Sequence, residues 1–240
     1  MPELPSHSAG ADTLAPPNEL DTKQRLLQAA IRIFAERGFQ ATSMRAITQE
    51  AGTSLSAANY HFGSKEELLR AALQGRADIL NARRRELLRR VEAAAAPDGV
   101  EGVIDAYIRP VFERQAEMMT KGTPPPALAI RLYLDPLDVI SKIRHEAFDP
   151  TNRLFVEALA RVLPDAPPEQ VERALRFVLG VVVYAVTEFA ERELEASNPS
   201  VHEHSQLESV VAFAAAGVRA VTGVSVPGRR NRAAERGESP

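Results

Sequence analysis

Proline placement is the feature that most constrains the fold of this chain. The sequence contains 17 prolines, yet none lies between Asn18 and Ala96. Over that stretch, apolar residues recur every three or four positions, which is the period of an amphipathic α-helix. The chain shows no alternating strand pattern and no long internal repeat. The sequence therefore predicts an all-α protein of nine to ten helices.

Composition divides the chain into four segments. Residues 1–20 are rich in Pro, Ser and Ala and lack periodicity, so they are predicted to be a disordered leader. They have neither the basic nor the apolar region of a signal peptide. Residues 21–67 favour short helices, residues 68–226 favour long ones, and residues 227–240 are interpreted as a disordered tail. The longest apolar run is too short to span a bilayer and cysteine is absent, so we expect a cytoplasmic protein without a membrane partner.

The first helix is predicted from Thr22 to Arg37. Its apolar stripe consists of Leu27, Ala30, Ile31 and Phe34. Gly38 follows as a left-handed stop signal, and Phe39 can fold back onto the last turn as its hydrophobic contact. The sequence therefore indicates a helix that ends abruptly before a turn.

Two short helices follow, separated by a glycine. Ser43 can cap a helix from Met44 to Ala51, and a further helix is expected from Leu55 to Phe62 after Gly52. Such a helix–turn–helix is a common DNA-binding device, in which the second helix presents polar groups to the major groove. Polar groups of this kind are carried by Ser54, Ser56, Asn59, Tyr60 and His61. A plain helical corner is the alternative interpretation of the turn alone.

Residues on both sides of the turn favour the DNA-binding interpretation. They are Leu27, Ala30, Phe34, Gly38 and Phe39, then Ala41 to Arg45 with Ile47, then Glu50 to Gly52 with Ser54, and finally Tyr60 to Phe62 with Ser64 to Leu68. At this spacing, the stretch from Thr22 to Leu69 resembles the DNA-binding region of the tetracycline-repressor (TetR) family of bacterial regulators. The resemblance implies a helix-turn-helix domain at residues 21–67 and an effector-binding and dimerisation domain at residues 68–226.

The resemblance also implies roles for individual residues. Ser43 is expected to bind a phosphate at the start of the second helix, and Arg45 a base edge or the groove rim. Tyr60 and His61 are expected to contact backbone phosphates, and Lys65 a phosphate beside the fourth helix, which a Ser64–Glu67 capping box begins. The base-reading positions are Ser54, Ser56 and Asn59. Family members commonly have Gly-Thr-Leu-Tyr where this chain has residues 56–59, so a helical carrier that has lost DNA binding is the rival hypothesis.

The C-terminal half is expected to bind a small, apolar effector that releases the protein from a palindromic operator. Arg83 to Arg85, with Arg89 and Arg90, are interpreted as a solvated helix face rather than a nucleic-acid surface. Helices are also predicted for residues 127–134, 136–148 and 149–163, the last with Asp149 as its N-cap and Pro150 in its first turn. The candidate pocket residues, for which an ordinary core position is the alternative, are Tyr107, Phe112, Met118, Tyr133, Phe148, Phe155 and Tyr184.

The last two long helices are predicted to form a homodimer interface. The segment from Val178 to Val186 is apolar nearly all round, and the last helix is rich in small residues that permit close approach. An ordinary intrachain core is the alternative. The candidate interface residues are Val178, Val182, Ala214, Gly217, Val218 and Val221.

No enzyme activity, cofactor or metal site is expected. The chain has no nucleophile elbow, no phosphate loop and no pair of histidines at zinc-protease spacing, and His202 and His204 lack a third ligand nearby. The formal net charge of -3 is unevenly distributed, since residues 21–90 hold 13 Lys and Arg against 7 Asp and Glu. The sequence thus predicts a basic N-terminal part attached to an acidic remainder.

Overall fold

The computed structural model describes residues 17–94, 99–120, 137–195 and 203–223. Over these residues the chain is entirely helical, which confirms the predicted fold class. The described helices are α1 (Pro17–Arg37), α2 (Met44–Glu50), α3 (Leu55–Phe62), α4 (Lys65–Ala93), α5 (Gly99–Thr120), α6 (Asp138–Val162), α7 (Pro168–Glu195) and α8 (Glu203–Thr222). The predicted helix at residues 127–134, the tail and the first 16 residues of the predicted leader lie outside the described residues.

The chain forms two compact units. The N-terminal unit comprises Met1–Ala72 and the C-terminal unit comprises Leu73–Pro240. Helix α4 contributes residues to both. Within the described residues, no helix is apolar over a length that could cross a bilayer.

Helix α1 is longer than its sequence pattern indicates, because it begins at Pro17 rather than at Thr22. Its buried face is also rotated relative to the predicted stripe. Leu26, Ala30, Ile33 and Phe34 are buried, whereas Leu27 and Ile31 are half-buried. The predicted stop is confirmed, since Gly38 has φ +79° and its N–H donates to the Phe34 carbonyl. The Phe39 ring lies 5.8 Å from that of Phe34, which closes the end of the helix.

Two helices of the C-terminal unit continue through an internal proline. Helix α5 contains Pro110 and α6 contains Pro150, so the predicted break of α6 at Asp149 is wrong. A proline inside a helix removes one backbone hydrogen bond and pushes against the carbonyl four residues earlier. Side chains of α4 bond to α6 on both sides of Pro150. Asn81 Nδ2 donates to the Ala147 carbonyl (2.9 Å) and Arg85 donates to Thr151 Oγ1 (3.1 Å).

The core of the C-terminal unit lies among α5, α6, α7 and α8. Tyr107 and Phe155 form an edge-to-face aromatic pair in it, with ring centroids 5.0 Å apart. Helix α8 packs against both α5 and α7. Its Arg219 forms a two-pronged ion pair with Glu101 of α5, which ties the last helix to the core.

We expect the variant Glu101→Gln to be less stable than the wild type at neutral pH. The Arg219 guanidinium holds the pKa of Glu101 below its ordinary value. A carboxylate whose pKa is lower in the folded state stabilises the protein above its unfolded pKa, and this contribution disappears as the pH falls through the folded pKa. Melting temperatures measured from neutral to acidic pH should therefore converge below the ordinary glutamate pKa. Asp165→Asn, in the exposed turn before α7, is the control, and a gap that persists in acid would contradict the prediction.

Candidate nucleic-acid interface

The turn between α2 and α3 depends on a glycine and an arginine. Gly52 has φ +60°, a conformation that favours glycine. Arg25 of α1 donates through Nη1 to the carbonyls of Ala51 (3.3 Å) and Gly52 (3.4 Å), where α2 ends. The last carbonyls of a helix lack helical donors and attract cations. Arg25 therefore fixes the end of α2 against α1, a role that the sequence analysis missed.

Lys65 connects the start of α4 to the turn after α1. Its Nζ donates to the carbonyls of Phe39 and Thr42, at 2.9 Å each, and lies 4.2 Å from the centre of the Phe39 ring. Two of the three ammonium donors are thus used inside the N-terminal unit. The phosphate contact expected of Lys65 remains a prediction, and only the third donor is left for it.

Serine side chains cap the N-termini of the short helices. Ser43 Oγ accepts from the Ala46 N–H at 3.2 Å, and Ser54 Oγ accepts from the Ala57 N–H at 3.0 Å. Ser64 does the same for α4, but Glu67 pairs with Arg70, so only one half of the predicted capping box forms. A capping hydroxyl accepts with its oxygen and keeps its own hydrogen free to donate. The caps of α2 and α3 therefore leave two exposed hydroxyl donors at helix N-termini, where the helix dipole favours an anion.

One face of α3 is buried and the other is polar and exposed. Ala58 and Phe62 are buried, whereas Ser54, Ser56 and Asn59 are exposed. Tyr60 is 77% exposed, which is unusual for a large aromatic side chain. Within the described residues, the side chains of Ser56, Asn59 and Tyr60 make no hydrogen bond to the protein. Their donors and acceptors are therefore available to another molecule.

The remaining predicted contact residues, Ser43, Arg45 and His61, differ in exposure. Ser43 and Arg45, at the start of α2, are exposed. His61 is half-buried, and its ring packs edge-on against that of Tyr60 at 5.2 Å. The structure thus presents Arg45 to solvent and makes His61 the most enclosed of the candidates outside Lys65.

The positive charge of residues 21–90 is not concentrated in the N-terminal unit. Residues 21–72 hold 7 Lys and Arg against 5 Asp and Glu, so most of the excess belongs to the later part of α4. There, Arg83 pairs with Glu113 at 3.0 Å, and Arg84 is buried. The interpretation of this arginine run as a solvated face is therefore wrong for Arg84. Sequence alone gives no sign of this burial, because the run looks uniformly polar.

The predicted pocket residues do not form one group. Tyr107, Phe112, Met118 and Phe155 are buried, and Phe148 is half-buried. Tyr184 is 69% exposed, so its assignment to the pocket is wrong. Its position on α7 falls opposite the buried positions of that helix. The last candidate, Tyr133, lies outside the described residues.

Four of the predicted interface residues belong to the core of this chain. Val178, Val182, Ala214 and Val218 are buried within the C-terminal unit, so they present no surface to a partner. Val221 is half-buried against the same core, and only Gly217 is exposed. The exposed faces instead carry large aromatics. These are Phe177 and Tyr184 on α7 and Phe213 on α8.

Comparison with known protein families gives two matches. Residues 26–72 match the family described as "Bacterial regulatory proteins, tetR family". Residues 105–217 match "Tetracyclin repressor-like, C-terminal domain". The two matches together cover about two thirds of the chain and fall in separate units. The family consists of regulatory proteins and not of enzymes.

Curated relatives carry regulator names. The HTH-type transcriptional repressor KstR2 of Mycobacterium tuberculosis is 35% identical over 95 residues, which are 39% of this chain and 46% of the repressor. The aligned region thus spans about half the length of that relative. The HTH-type transcriptional regulator UidR of Escherichia coli is 27% identical over 180 residues, which are 67% of this chain and 89% of UidR.

Solved structures share the fold. The fatty acid degradation regulator FadR from Bacillus halodurans has a TM-score of 0.62 at 15% identity, covering 86% of this chain and 99% of that one. A putative transcriptional regulator from Pseudomonas aeruginosa PAO1 has a TM-score of 0.61 at 18% identity, covering 89% and 98%. Both structures share the fold of this chain at low sequence identity. The chain belongs to the TetR family of bacterial regulatory proteins.

Proposed function

We propose that this protein is a cytoplasmic, homodimeric transcriptional repressor that binds a palindromic DNA operator and is released from it by a small-molecule effector. The observation that carries the proposal is the face of α3, where polar side chains without partners in the described protein are exposed beside a buried, well-packed face. A recognition helix needs this division, because one side must pack while the other enters the major groove. The repressor name of KstR2 supports the direction of regulation.

The proposed contacts divide by their chemistry. Ser54, Ser56 and Asn59 read base edges, and an asparagine side chain can bond adenine with two hydrogen bonds. Arg45 reads a base edge or the groove rim. The phosphate contacts, which set the register without reading sequence, come from Ser43, Tyr60, His61 and the remaining donor of Lys65.

The exposed faces of α7 and α8 support the homodimer. Phe177, Tyr184 and Phe213 are all more than half exposed on two helices that pack against each other, and exposed apolar surface is typical of a protein interface. Gly180 and Gly217 lie on the same faces, and a Cβ at either would meet no atom within 4 Å. Two-fold symmetry of the protein requires two half-sites related by a two-fold axis, about 34 Å or a multiple of that spacing apart.

The apolar interior of the C-terminal unit supports an effector with an apolar body. The effector acts by binding more tightly to the form of the protein that does not fit the operator, because a ligand shifts an equilibrium only through such a difference in affinity. We place its contacts among the candidates Tyr107, Phe112, Met118 and Phe148, with Phe155 packed against the Tyr107 ring as their support.

We expect Arg45→Ala to weaken binding to the operator by about 10- to 100-fold, corresponding to about 1–3 kcal/mol. Arg45 tests the interface more cleanly than Lys65, because it makes no described contact that holds the fold, whereas Lys65 bonds two carbonyls. The measurement is fluorescence anisotropy with the DNA beside the protein's own gene, titrated at several salt concentrations. Arg153→Ala removes the same charge from an exposed position on α6 and should leave the affinity unchanged.

Two results would contradict the proposal. If the purified protein ignores that DNA at about 50 mM salt, with and without small molecules, the helical carrier replaces the repressor. If Arg45→Ala and Arg153→Ala lose affinity equally, the attraction is a property of total charge, and the recognition surface lies elsewhere.

A further inference from the structure

The C-terminal unit contains a buried guanidinium without a carboxylate partner. Arg84 of α4 is 2% exposed. An arginine stays protonated in proteins, and a buried charge is costly unless an opposite charge accompanies it. By contrast, two partly exposed arginines of the unit do have carboxylate partners, since Arg83 pairs with Glu113 and Arg109 pairs with Asp105. Within the described residues, no Asp or Glu lies within ion-pair distance of Arg84.

Neutral contacts hold the Arg84 side chain in one orientation. Its Nε donates to the Tyr107 carbonyl at 3.0 Å, and its guanidinium carbon lies 3.8 Å from the centre of the Tyr107 ring. The Tyr107 hydroxyl in turn donates to Asn152 Oδ1 at 2.9 Å, which fixes the ring. Burial lowers the pKa of Arg84, which reflects the cost of keeping this charge away from water. The two terminal nitrogens carry four N–H donors, and no acceptor for them is found in the described part of the chain.

Two other buried side chains of the unit also lack a partner for one atom. Asn81, one turn before Arg84 on the buried face of α4, uses its amide nitrogen but has no described donor for Oδ1. Gln115 of α5 is buried, donates to the Val186 carbonyl at 3.3 Å and leaves Oε1 without a described donor. Buried polar atoms of this kind normally bond to protein, water or ligand. The interior thus offers one cationic donor group and two neutral acceptors among apolar side chains.

We propose that Arg84 is the anion-binding residue of the effector site and that the effector is an amphipathic monocarboxylate with an apolar body. The inference rests on the proposed effector response and names the chemical class of the ligand. A guanidinium presents two parallel N–H groups that match the two oxygens of a carboxylate. A monocarboxylate neutralises the single charge of Arg84, whereas a doubly charged phosphate leaves one buried charge uncompensated. Hydroxyl groups on the apolar body would suit the free oxygens of Asn81 and Gln115.

The first experiment compares ligands that differ only in their head group. The full chain, without DNA, is titrated by calorimetry with straight-chain carboxylates from butanoate to dodecanoate and with phenyl-substituted carboxylates of similar size. Each is matched by the alcohol and the alkyl phosphate of the same skeleton. We expect at least one carboxylate to bind at least about tenfold more tightly than its alcohol, as a charge-assisted hydrogen bond predicts. If no carboxylate exceeds its alcohol, the proposal is wrong, and an Arg84-dependent preference for the phosphate would overturn the carboxylate assignment.

The second experiment assigns the preference to Arg84. In Arg84→Met, which keeps the length of the side chain and removes its charge, we expect the carboxylate to bind no better than its alcohol. Arg89→Met, at an exposed position on the same helix, should keep the wild-type preference. A preference that survives in Arg84→Met overturns the proposal. If that variant does not fold, Arg84→Lys decides, because a point charge without the fork should reduce the preference several-fold.

Failure of this proposal is distinguishable from failure of the proposed function. Ligand binding is measured without DNA, so a protein that ignores DNA can still show the Arg84-dependent preference. Conversely, a protein that binds its operator but shows no preference for carboxylates remains a repressor with an effector of another class.

Discussion

Replacement of Phe213 by glutamate is expected to convert the proposed dimer to monomers and to weaken binding to the proposed operator by at least about 100-fold, or about 2.7 kcal/mol. Phe213 is 67% exposed on α8, which packs against α7. Burying a phenylalanine contributes about 1.5–3 kcal/mol. In a two-fold interface each substitution occurs twice, and a glutamate there adds the cost of burying two charges. Operator affinity falls because separate protomers each hold only one half-site.

Sedimentation velocity should show the change in mass, and anisotropy on the same samples should show the loss of affinity. Ile79→Glu is the matched control, because Ile79 is a comparably exposed apolar residue that lies on α4 and not on α7 or α8. It should leave both the mass and the affinity unchanged. A Phe213→Glu protein that stays dimeric at micromolar concentration would place the interface on another surface.

The N-terminal unit could be predicted closely because its signals are local. Ser54 and Gly38 act on the backbone within four residues of themselves, so α3 has its predicted bounds and α1 ends as expected. The buried face of α1 could not be predicted as well. Leu26 and Leu27 are both apolar, as are Ala29 and Ala30, so two adjacent stripes fit the period of a helix. Packing against α2 and α3, which the sequence does not display, selects one of them.

In the C-terminal unit, contacts between residues far apart in sequence determine two features that the sequence did not predict. An Asp-Pro pair is a common helix start, yet α6 continues through Pro150. Bonds from Asn81 and Arg85, both more than 60 residues away in sequence, support the helix on either side of it. A separation of 23 residues likewise explains why Arg84 was predicted to be solvated. Its burial depends on Tyr107, which lies on a different helix.

The segment predicted to form the dimer face shows that a uniformly apolar sequence does not indicate which side chains point inward. The stretch from Val178 to Val186 is apolar on every side, so its hydrophobic period does not indicate which residues point inward. In the structure, Val178, Val182 and Val186 point inward and Tyr184 outward. Predicting the helix was therefore possible from sequence, but assigning its residues to core, pocket or interface was not.

The variant Phe155→Ala is expected to lower the free energy of unfolding by about 3–5 kcal/mol. Phe155 is fully buried, so its truncation loses the transfer free energy of the ring and leaves a cavity. It also removes the edge-to-face contact with Tyr107, and such pairs contribute about 0.5–1.5 kcal/mol beyond burial. Urea unfolding followed by circular dichroism measures the change. Leu154→Ala, next in sequence but 38% exposed, should cost less than about 1 kcal/mol.

The size of this loss separates two roles for Phe155, which the sequence assigned to the effector pocket. If Phe155 belongs to the packed core, Phe155→Ala lowers the free energy of unfolding by the full expected amount. The loss is then the same with or without ligand, because no effector replaces the core contacts of the ring. If Phe155 lines an open pocket, its truncation lowers the free energy of unfolding by less, because one side of the ring makes no contacts in the protein. If Phe155→Ala lowers the free energy of unfolding no more than Leu154→Ala does, Phe155 lines a pocket. The packed core is then formed by Tyr107 and its other neighbours. The full loss would instead make Phe155 the support that holds the Tyr107 ring against Arg84.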